Sequence, residues 1–304
     1  MDYFYLAAVC VLFTFLGGFV TNRFVAPRVE RLPWKMPADF ADADGRRHGR
    51  CGGVYDIMFG VLREDSDLNK GPEGERRMGR VYVVAGIDTG IGKTAVTGLM
   101  ARSLMASGRD VITVKMVQTG NDGFSEDIAA HRAICGGVHY PEDDEGLTAP
   151  QIFKFPSSPL LAAGLEGRTV DLAAVSRAVA ACAACHDIVL VEAAGGLHVP
   201  LTDELLTADY VAREGWPLIL VTCGRLGSIN HTLLTLEAAK ARGIRVAGVV
   251  YNWFEGADPL IDRDTPETTR RYLVRWGLPP VVVRVPRLDF AGPYPAVDFS
   301  EIFA

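Results

Sequence analysis

Residues 80–94 read Arg80-Val-Tyr-Val-Val-Ala-Gly-Ile-Asp-Thr-Gly-Ile-Gly-Lys-Thr94. The apolar, β-branched run at 81–85 predicts a strand that enters a glycine-rich turn. This turn ends at 92–94 and leads directly into a helical pattern over 95–107. Glycines let successive backbone N–H groups surround an anion, and the N-terminus of the following helix adds partial positive charge. The order of strand, glycine loop and helix therefore predicts a phosphate-binding loop (P-loop).

The loop is one residue longer than the strict P-loop pattern, because five residues rather than four separate Gly86 from Gly92. In a nucleotide site, Lys93 would reach the β- and γ-phosphates, and the hydroxyl of Thr94 would bind Mg²⁺. The alternative is a chance Gly-Lys-Thr at the start of a helix, which the flanking strand and helix patterns disfavour. The longer loop indicates a particular subgroup of nucleotide-binding proteins, and the rest of the chain must identify it.

The length fits one large α/β domain or two smaller ones, and the cysteine usage fits a reducing cytosol. The chain has 304 residues, of which 49% are hydrophobic, and a net charge of −6. This charge argues against nucleic acid as a main partner. The six cysteines show no disulfide framework and predict free thiols. Residues 182–186 match a haem attachment pattern, but they end a predicted helix that leads into a core strand, so we interpret the match as chance.

The first 77 residues differ from the rest. Residues 3–20 form an uncharged apolar run of the minimum length for a membrane-spanning helix, followed by basic residues that would place the remainder in the cytoplasm. Residues 33–77 read as a linker. We expect a domain over 78–304, and an extension over 1–77 with one apolar helix. Three interpretations of the extension stay open: a dispensable or mis-assigned stretch, a real membrane tether, or a signal peptide.

Apolar strands alternate with helices along the remaining chain. Strands are predicted at 110–115, 151–155, 187–192, 217–223, 245–251 and 281–285, and helices at 128–134, from 157, 171–185, 208–214, 232–242 and 265–276. The segment at 225–231 is predicted to be a loop, and an irregular tail is predicted after 285. This alternation predicts one α/β domain with a mostly parallel sheet covered by helices on both faces, as in P-loop NTPases.

Several polar residues follow the predicted strands. Because ligands bind at the carboxyl edge of an open parallel sheet, Lys115 and Thr119 should point toward the P-loop. Glu192 ends a neighbouring strand, where an acidic residue holds the Mg²⁺ of a nucleotide. The structural alternatives are a snorkelling lysine and a solvated glutamate. Backbone N–H groups at 227–229 would suit a carboxylate, and the amide of Asn252 could read a purine edge.

Six sequence features in this order resemble the dethiobiotin synthase family. They are residues 86–94, Lys115-Met-Val-Gln-Thr-Gly120, Ser125-Glu-Asp127, Val191-Glu-Ala-Ala-Gly-Gly196, Leu226-Gly-Ser-Ile-Asn-His231 and Asn252. The family's P-loop has the same five-residue gap, so the extra residue supports the resemblance, which covers 78–304. It implies a ligase of biotin biosynthesis that uses ATP, Mg²⁺ and CO₂ to close a ureido ring on 7,8-diaminopelargonate, giving dethiobiotin, ADP and phosphate.

The resemblance also implies roles for individual residues. The catalytic group would be Thr89, Lys93 and Lys115. Substrate would contact Thr119 and, from the second subunit of a homodimer, Leu226, Gly227, Ser228, Ile229 and Asn230. ATP would contact Gly90, Ile91, Gly92, Lys93, Thr94, Ala95, Asp127, Glu192, Ala193, Ala194, Gly195, Asn252, Val285, Pro286 and Arg287. Mg²⁺ would be held by Thr94, Asp127 and Glu192.

Some positions depart from the family pattern, and a rival function shares the fold. Ala193 stands where the family usually has glycine, so an extra methyl group could crowd the phosphate. Glu126 beside Asp127 leaves two candidates for the metal ligand, with helix capping as the alternative role. The rival is a membrane-recruited partitioning-type ATPase, which carries a second lysine five positions before the P-loop lysine. That position is Asp88 here, of opposite charge.

Overall fold

The computed structural model describes residues 78–288 and 293–304. The expected extension over 1–77, including the apolar run at 3–20, lies outside the described residues. Among the helices that the structure describes, none is both long enough and apolar enough to cross a bilayer.

A six-stranded sheet forms the centre of the domain. Its strands are β1 Arg80–Gly86, β2 Val111–Lys115, β5 Ile188–Gly196, β6 Leu218–Cys223, β7 Val246–Asn252 and β8 Val282–Val285. A separate pair consists of β3 Gln118–Thr119 and β4 Ile152–Phe153. The main sheet has the order β2-β5-β1-β6-β7-β8, and all neighbouring strands are parallel. The predicted parallel sheet is confirmed.

Helices cover both faces of this sheet, also as predicted. They are α1 Lys93–Ala106, α2 Glu126–Ile134, α3 Pro141–Asp144, α4 Pro159–Leu165, α5 Leu172–Cys185, α6 Thr207–Glu214, α7 Ser228–Ala241, α8 Pro259–Arg275 and α9 Ser300–Phe303. Alternate residues of β1 enter two separate hydrophobic clusters: Val83 packs with residues of α5 to α8, and Val84 packs with residues of α1, α2 and α9. This alternation follows from the two-residue period of a strand.

The predicted and observed elements differ most clearly in α7, α8 and α9. Helix α7 begins at Ser228 rather than at 232, so residues 228–231 form its first turn and not a loop. Helix α8 begins six residues before the predicted start, where Asp258 caps Leu260 N and Pro259 occupies the first turn. Pro266 lies inside this helix. Helix α9 lies within the tail predicted to be irregular.

The register of the strands brings the predicted site residues to one edge. Lys115, the last residue of β2, pairs with Glu192 of β5. Glu192 in turn pairs with Val84 of β1, two residues before the strand enters the P-loop at Gly86. Because all three strands are parallel, their carboxyl ends and the P-loop share the same edge of the sheet.

Candidate active site

The P-loop is held near both of its ends by hydrogen bonds to β6 and β7. Ile87 N donates to the carbonyl of Val221 in β6 at 3.0 Å. The side-chain amide of Asn252, at the end of β7, donates to the carbonyl of Ile91 at 2.9 Å. Gly92 then adopts a left-handed conformation with φ of 90° as the N-terminal cap of α1. The loop therefore presents backbone N–H groups and a helix N-terminus in a defined orientation.

Lysine, threonine and two carboxylates meet beside this helix start. Lys115 Nζ donates to Glu192 Oε1 at 2.9 Å and lies 2.6 Å from Asp127 Oδ2. Thr94 Oγ1 lies 2.7 Å from Asp127 Oδ1 and 3.0 Å from Glu192 Oε1. Lys93 Nζ donates to the P-loop carbonyl of Asp88 at 3.0 Å. The structure thus brings together residues that are up to 98 positions apart in the chain.

Burial and charge oppose each other within this cluster. Burial favours the neutral form of Glu192, but Lys115 and His131 outweigh it and hold the pKa of this carboxyl far below its usual range. Burial likewise acts against the charge of Lys115, but the carboxylates of Glu192 and Asp127 raise its pKa. Burial lowers the pKa of Lys93. The carboxylate of Glu192 acts to raise this pKa, and the positive charge of Lys115 acts to lower it. Lys115 and Glu192 therefore form a buried ion pair.

The donor set fits a magnesium ion accompanied by a nucleotide. Thr94, Asp127 and Glu192 offer oxygen atoms, the ligand type that Mg²⁺ takes, and all three converge within hydrogen-bond distance. Over the described parts of the chain, no three His, Cys, Asp or Glu side chains form a metal-binding group by themselves. Mg²⁺ commonly uses one or two carboxylates and completes its shell with phosphate oxygens and water, which matches the two carboxylates and one hydroxyl present here.

The structure distinguishes the two neighbouring carboxylates at the start of α2. Ser125 caps the helix by accepting from Ile128 N at 3.2 Å. In this orientation the side chain of Glu126 is exposed to solvent. Asp127 turns inward and contacts both Thr94 and Lys115. Of the two, only Asp127 lies within reach of the cluster.

Replacement of these two carboxylates by amides is expected to have unequal effects. Asp127→Asn removes one contact between a charged oxygen and the ion, and such a contact contributes about 1.5–2.5 kcal/mol. We therefore expect the apparent affinity for Mg²⁺ in the presence of ATP to be roughly 10- to 60-fold weaker. Glu126→Gln, the matched control, should stay close to wild type. A Mg²⁺ titration of the ATP-bound protein measures both. Equal losses in the two variants would contradict the assignment of Asp127.

The other predicted site residues lie in three places. Thr89 is exposed in the P-loop, and a Cβ on Gly195 would approach its hydroxyl to 3.8 Å. Thr119 is half-buried in β3. In the segment before α7 and its first turn, Leu226 is 85% exposed whereas Ser228 is buried. Gly227 and Asn230 are also exposed, and Ile229 is half-buried.

Three of the residues predicted to contact ATP, Val285, Pro286 and Arg287, border a pocket of about 310 Å³. It is lined by Tyr251, Trp253, Asp262, Arg284, Val285, Pro286 and Arg287. The guanidinium of Arg287 lies 5.3 Å from the centre of the Trp253 ring. Asn252 itself is buried and its amide contacts the P-loop backbone, so its contact with a base stays a prediction. Ala193 is fully buried in the hydrophobic core, where its methyl group packs among apolar side chains.

Sequence reasoning missed three residues around the cluster. His131 and Arg132 in α2 are buried, and His131 Nε2 lies 2.8 Å from Glu192 Oε2. Arg225 forms an ion pair with Asp88, which joins the segment before α7 to the P-loop. A signal for His131 was available, because it stands four residues after Asp127 and a helix places such residues on one face.

P-loop nucleotide-binding proteins place phosphate-binding backbone N–H groups at a helix start, beside side-chain oxygens suited to a divalent cation. This chain has the same arrangement and is a P-loop nucleotide-binding protein. A family model described as an AAA domain matches residues 80–293. ATP-dependent dethiobiotin synthetase BioD of Chlorobaculum tepidum is 50% identical to this chain over 199 residues, which cover 66% of this chain and 83% of that protein. The chain belongs to the ATP-dependent dethiobiotin synthetase family.

The chain is also similar to other proteins. ATP-dependent dethiobiotin synthetase BioD 2 of Pasteurella multocida is 45% identical over 199 residues, which cover 66% of this chain and 93% of that protein. Among solved structures, a ParA family ATPase from Chlorobium tepidum TLS aligns with 17% identity and a TM-score of 0.42, over 70% of this chain and 86% of that one.

Proposed function

We propose that this protein closes a ureido ring on 7,8-diaminopelargonate with CO₂ and ATP, giving dethiobiotin, ADP and phosphate. Its family members are named for ATP-dependent dethiobiotin synthesis. The structural observation that supports the proposal most is the position of Lys115, a second buried lysine beside the P-loop lysine and its carboxylates. A P-loop lysine alone accounts for nucleotide binding. The additional lysine offers positive charge to a second anionic group next to the γ-phosphate.

The proposed reaction has three steps. One amine adds to the carbon of CO₂, forming an N–C bond and releasing a proton, which leaves a carbamate. A carbamate oxygen attacks the γ-phosphorus, and the bond from that phosphorus to the bridging oxygen of ADP breaks. The second amine then attacks the carbamoyl carbon, phosphate leaves, and a second proton is released. Each step develops or transfers negative charge, so alignment and electrostatic stabilisation can supply the catalysis.

The residues of the cluster suit these demands. Lys93 and Lys115 would lie on either side of the transferred phosphoryl group and neutralise the carbamate and phosphate oxygens. The hydroxyls of Thr89 and Thr119 would hold the carbamate. Thr94, Asp127 and Glu192 would hold Mg²⁺, which when bound neutralises charge on the β- and γ-phosphates. The protein thus needs no covalent nucleophile for this chemistry.

The remaining contacts involve the ends of both substrates. Leu226, Gly227, Ser228, Ile229 and Asn230 of a second copy would hold the carboxylate tail of the diamine, which makes the active form a homodimer. The exposure of Leu226 is consistent with such a contact. The adenine would occupy the surroundings of Asn252 and the pocket bordered by Val285, Pro286 and Arg287. Residues 78–304 would form the catalytic domain of a cytoplasmic enzyme, preceded by the extension over 1–77.

Direct assay of the full chain tests the proposed function. With diaminopelargonate, bicarbonate, Mg²⁺ and ATP, we expect dethiobiotin and ADP to form in equal amounts, and both to require the diamine. Omission of bicarbonate should stop both products. ATP hydrolysis that proceeds at the same rate without the diamine, and yields no dethiobiotin, would contradict the synthetase and favour the partitioning-type ATPase.

A further inference from the structure

We propose that His131 is a positioning residue that fixes the carboxylate of Glu192 toward the nucleotide site. An N–H on Nε2 of its imidazole donates to Glu192 Oε2, with the two atoms 2.8 Å apart. The inference rests on the proposed function, in which Glu192 is a ligand of Mg²⁺. Helix α2 would then contribute two residues to the site: Asp127 as a direct ligand of Mg²⁺, and His131 as the residue that orients Glu192.

The position of His131 follows from the geometry of α2. Residues four apart in a helix lie on the same face, so Asp127 and His131 both point toward the sheet. Asp127, in the first turn, reaches Lys115 and Thr94. One turn later, His131 is completely buried and its Nε2 lies 2.8 Å from Glu192 Oε2. The two oxygens of Glu192 therefore have different partners, because Oε1 faces Lys115 and Thr94.

The far side of the imidazole is held by a chain of hydrogen bonds. His131 Nδ1 lies 3.0 Å from the hydroxyl of Thr113 in β2, and that hydroxyl accepts from Arg132 Nη1 at 2.8 Å. Arg132 also donates to both carboxylate oxygens of Asp143, at 2.9 and 2.7 Å. Asp143 accepts further from the hydroxyl of Thr148 at 2.8 Å. Each member of the chain is thus restrained by the next.

This chain selects the tautomer of His131. The guanidinium of Arg132 has only donors, so Thr113 must accept from it and its own hydroxyl hydrogen remains to be donated. Within the described residues, His131 Nδ1 is the one other partner of that hydroxyl. If Nδ1 carried a proton, the hydroxyl hydrogen would have no acceptor there. An Nδ1–H tautomer would in addition turn the lone pair of Nε2 toward the carboxylate of Glu192. The Nε2–H tautomer satisfies every group.

The arrangement matters because a carboxylate held through only one of its oxygens can still rotate about its last torsion. A hydrogen bond from His131 to Oε2 removes that freedom and directs Oε1 toward Thr94 and Lys115. Partners that orient a metal ligand in this way typically contribute about 10- to 100-fold in metal affinity or activity. The contribution is expected in Mg²⁺ binding and in kcat, and much less in the KM for the diamine.

Two variants separate positioning from space filling. His131→Leu fills the buried volume without a donor, whereas His131→Gln can place an amide N–H where Nε2–H stands. Mn²⁺ serves as the probe for Mg²⁺, and its binding to the full chain with a non-hydrolysable ATP analogue is followed by electron paramagnetic resonance. We expect His131→Leu to bind Mn²⁺ about 10- to 100-fold more weakly, and His131→Gln to stay within about fivefold of wild type.

A buried histidine elsewhere provides the matched control. His186 lies just before β5 and pairs with Asp110 and Glu142. His186 is six residues before Glu192 along an extended chain, so the two are roughly 20 Å apart at ~3.3 Å per residue. His186→Leu should lower the melting temperature and leave Mn²⁺ affinity unchanged. Equal Mn²⁺ affinities for wild type and a folded His131→Leu would overturn the inference. Equal losses in the Leu and Gln variants of His131 would overturn it as well, since they would show a requirement for shape alone.

A spectroscopic measurement tests the tautomer independently of any activity. In protein labelled with ¹⁵N-histidine, the ring signals missing from His131→Gln belong to His131, and we expect Nε2 of this ring to carry a proton. A ring protonated at Nδ1 would overturn the assignment. Neither Mn²⁺ binding nor this measurement involves the diamine. If wild type forms no dethiobiotin while both measurements turn out as expected, the proposed function fails and the role of His131 stands.

Discussion

Replacement of Lys115 by glutamine is expected to lower kcat for dethiobiotin formation about a thousandfold, the upper range for loss of one preorganised electrostatic group. Lys115 is buried beside Glu192 and Asp127, where its charge is weakly screened by solvent. Glutamine retains hydrogen-bonding capacity but carries no charge to offset the developing carbamate and phosphoryl oxygens. The affinity for ATP should change by only about threefold or less, because the P-loop and Lys93 are intact.

Controls can show that the effect belongs to this lysine. Lys154→Gln removes an exposed lysine that pairs with exposed Asp122, and it should leave kcat unchanged. Lys115→Arg retains the positive charge and should be more active than Lys115→Gln, although its planar head group does not reproduce the ammonium geometry. Single-turnover measurements would separate chemistry from product release. Near-wild-type kcat in Lys115→Gln would exclude Lys115 from the reaction.

Substitution of Gly92 by alanine is expected to weaken ATP binding about 10²- to 10³-fold. Two costs combine at this position. Gly92 has φ of 90°, which a residue with a Cβ adopts only with strain of about 1–3 kcal/mol. The added Cβ would also stand 2.3 Å from the side-chain nitrogen of Asn252, so one of the two must move. Asn252 cannot move freely, because this nitrogen donates to the P-loop carbonyl of Ile91.

Neighbouring substitutions separate the two costs. A Cβ added at Gly90 would meet no atom within 4 Å, and the φ of Gly90 is 72°. Gly90→Ala therefore introduces the conformational strain without the collision, and this variant should bind ATP more tightly than Gly92→Ala. Adding Asn252→Ala to Gly92→Ala should recover part of the lost affinity, since it removes the colliding group. Calorimetric titration with ATP measures all of these variants. Identical affinities for Gly90→Ala and Gly92→Ala would show that the contact with Asn252 is unimportant.

Much of the fold could be predicted because its signals are local. The β-branched run before the P-loop, the glycine spacing and the helical period after it all lie within one short stretch. Strands such as β5 and β6 are continuous apolar runs, typical of a sheet covered on both faces. The errors occurred at the ends of elements, as in α8, where Asp258 and Pro259 start the helix six residues before the predicted beginning.

The sequence alone was sufficient to identify the P-loop, the parallel α/β fold and the family, because each depends on residue types at short spacing. The tertiary structure decided which of Glu126 and Asp127 faces the cluster, and that His131 contacts Glu192. His131 and Glu192 are 61 positions apart, and Lys115 and Glu192 are 77 apart. Contacts over such distances exist only once parallel strands have brought their carboxyl ends to one edge, since no local pattern specifies the pairing.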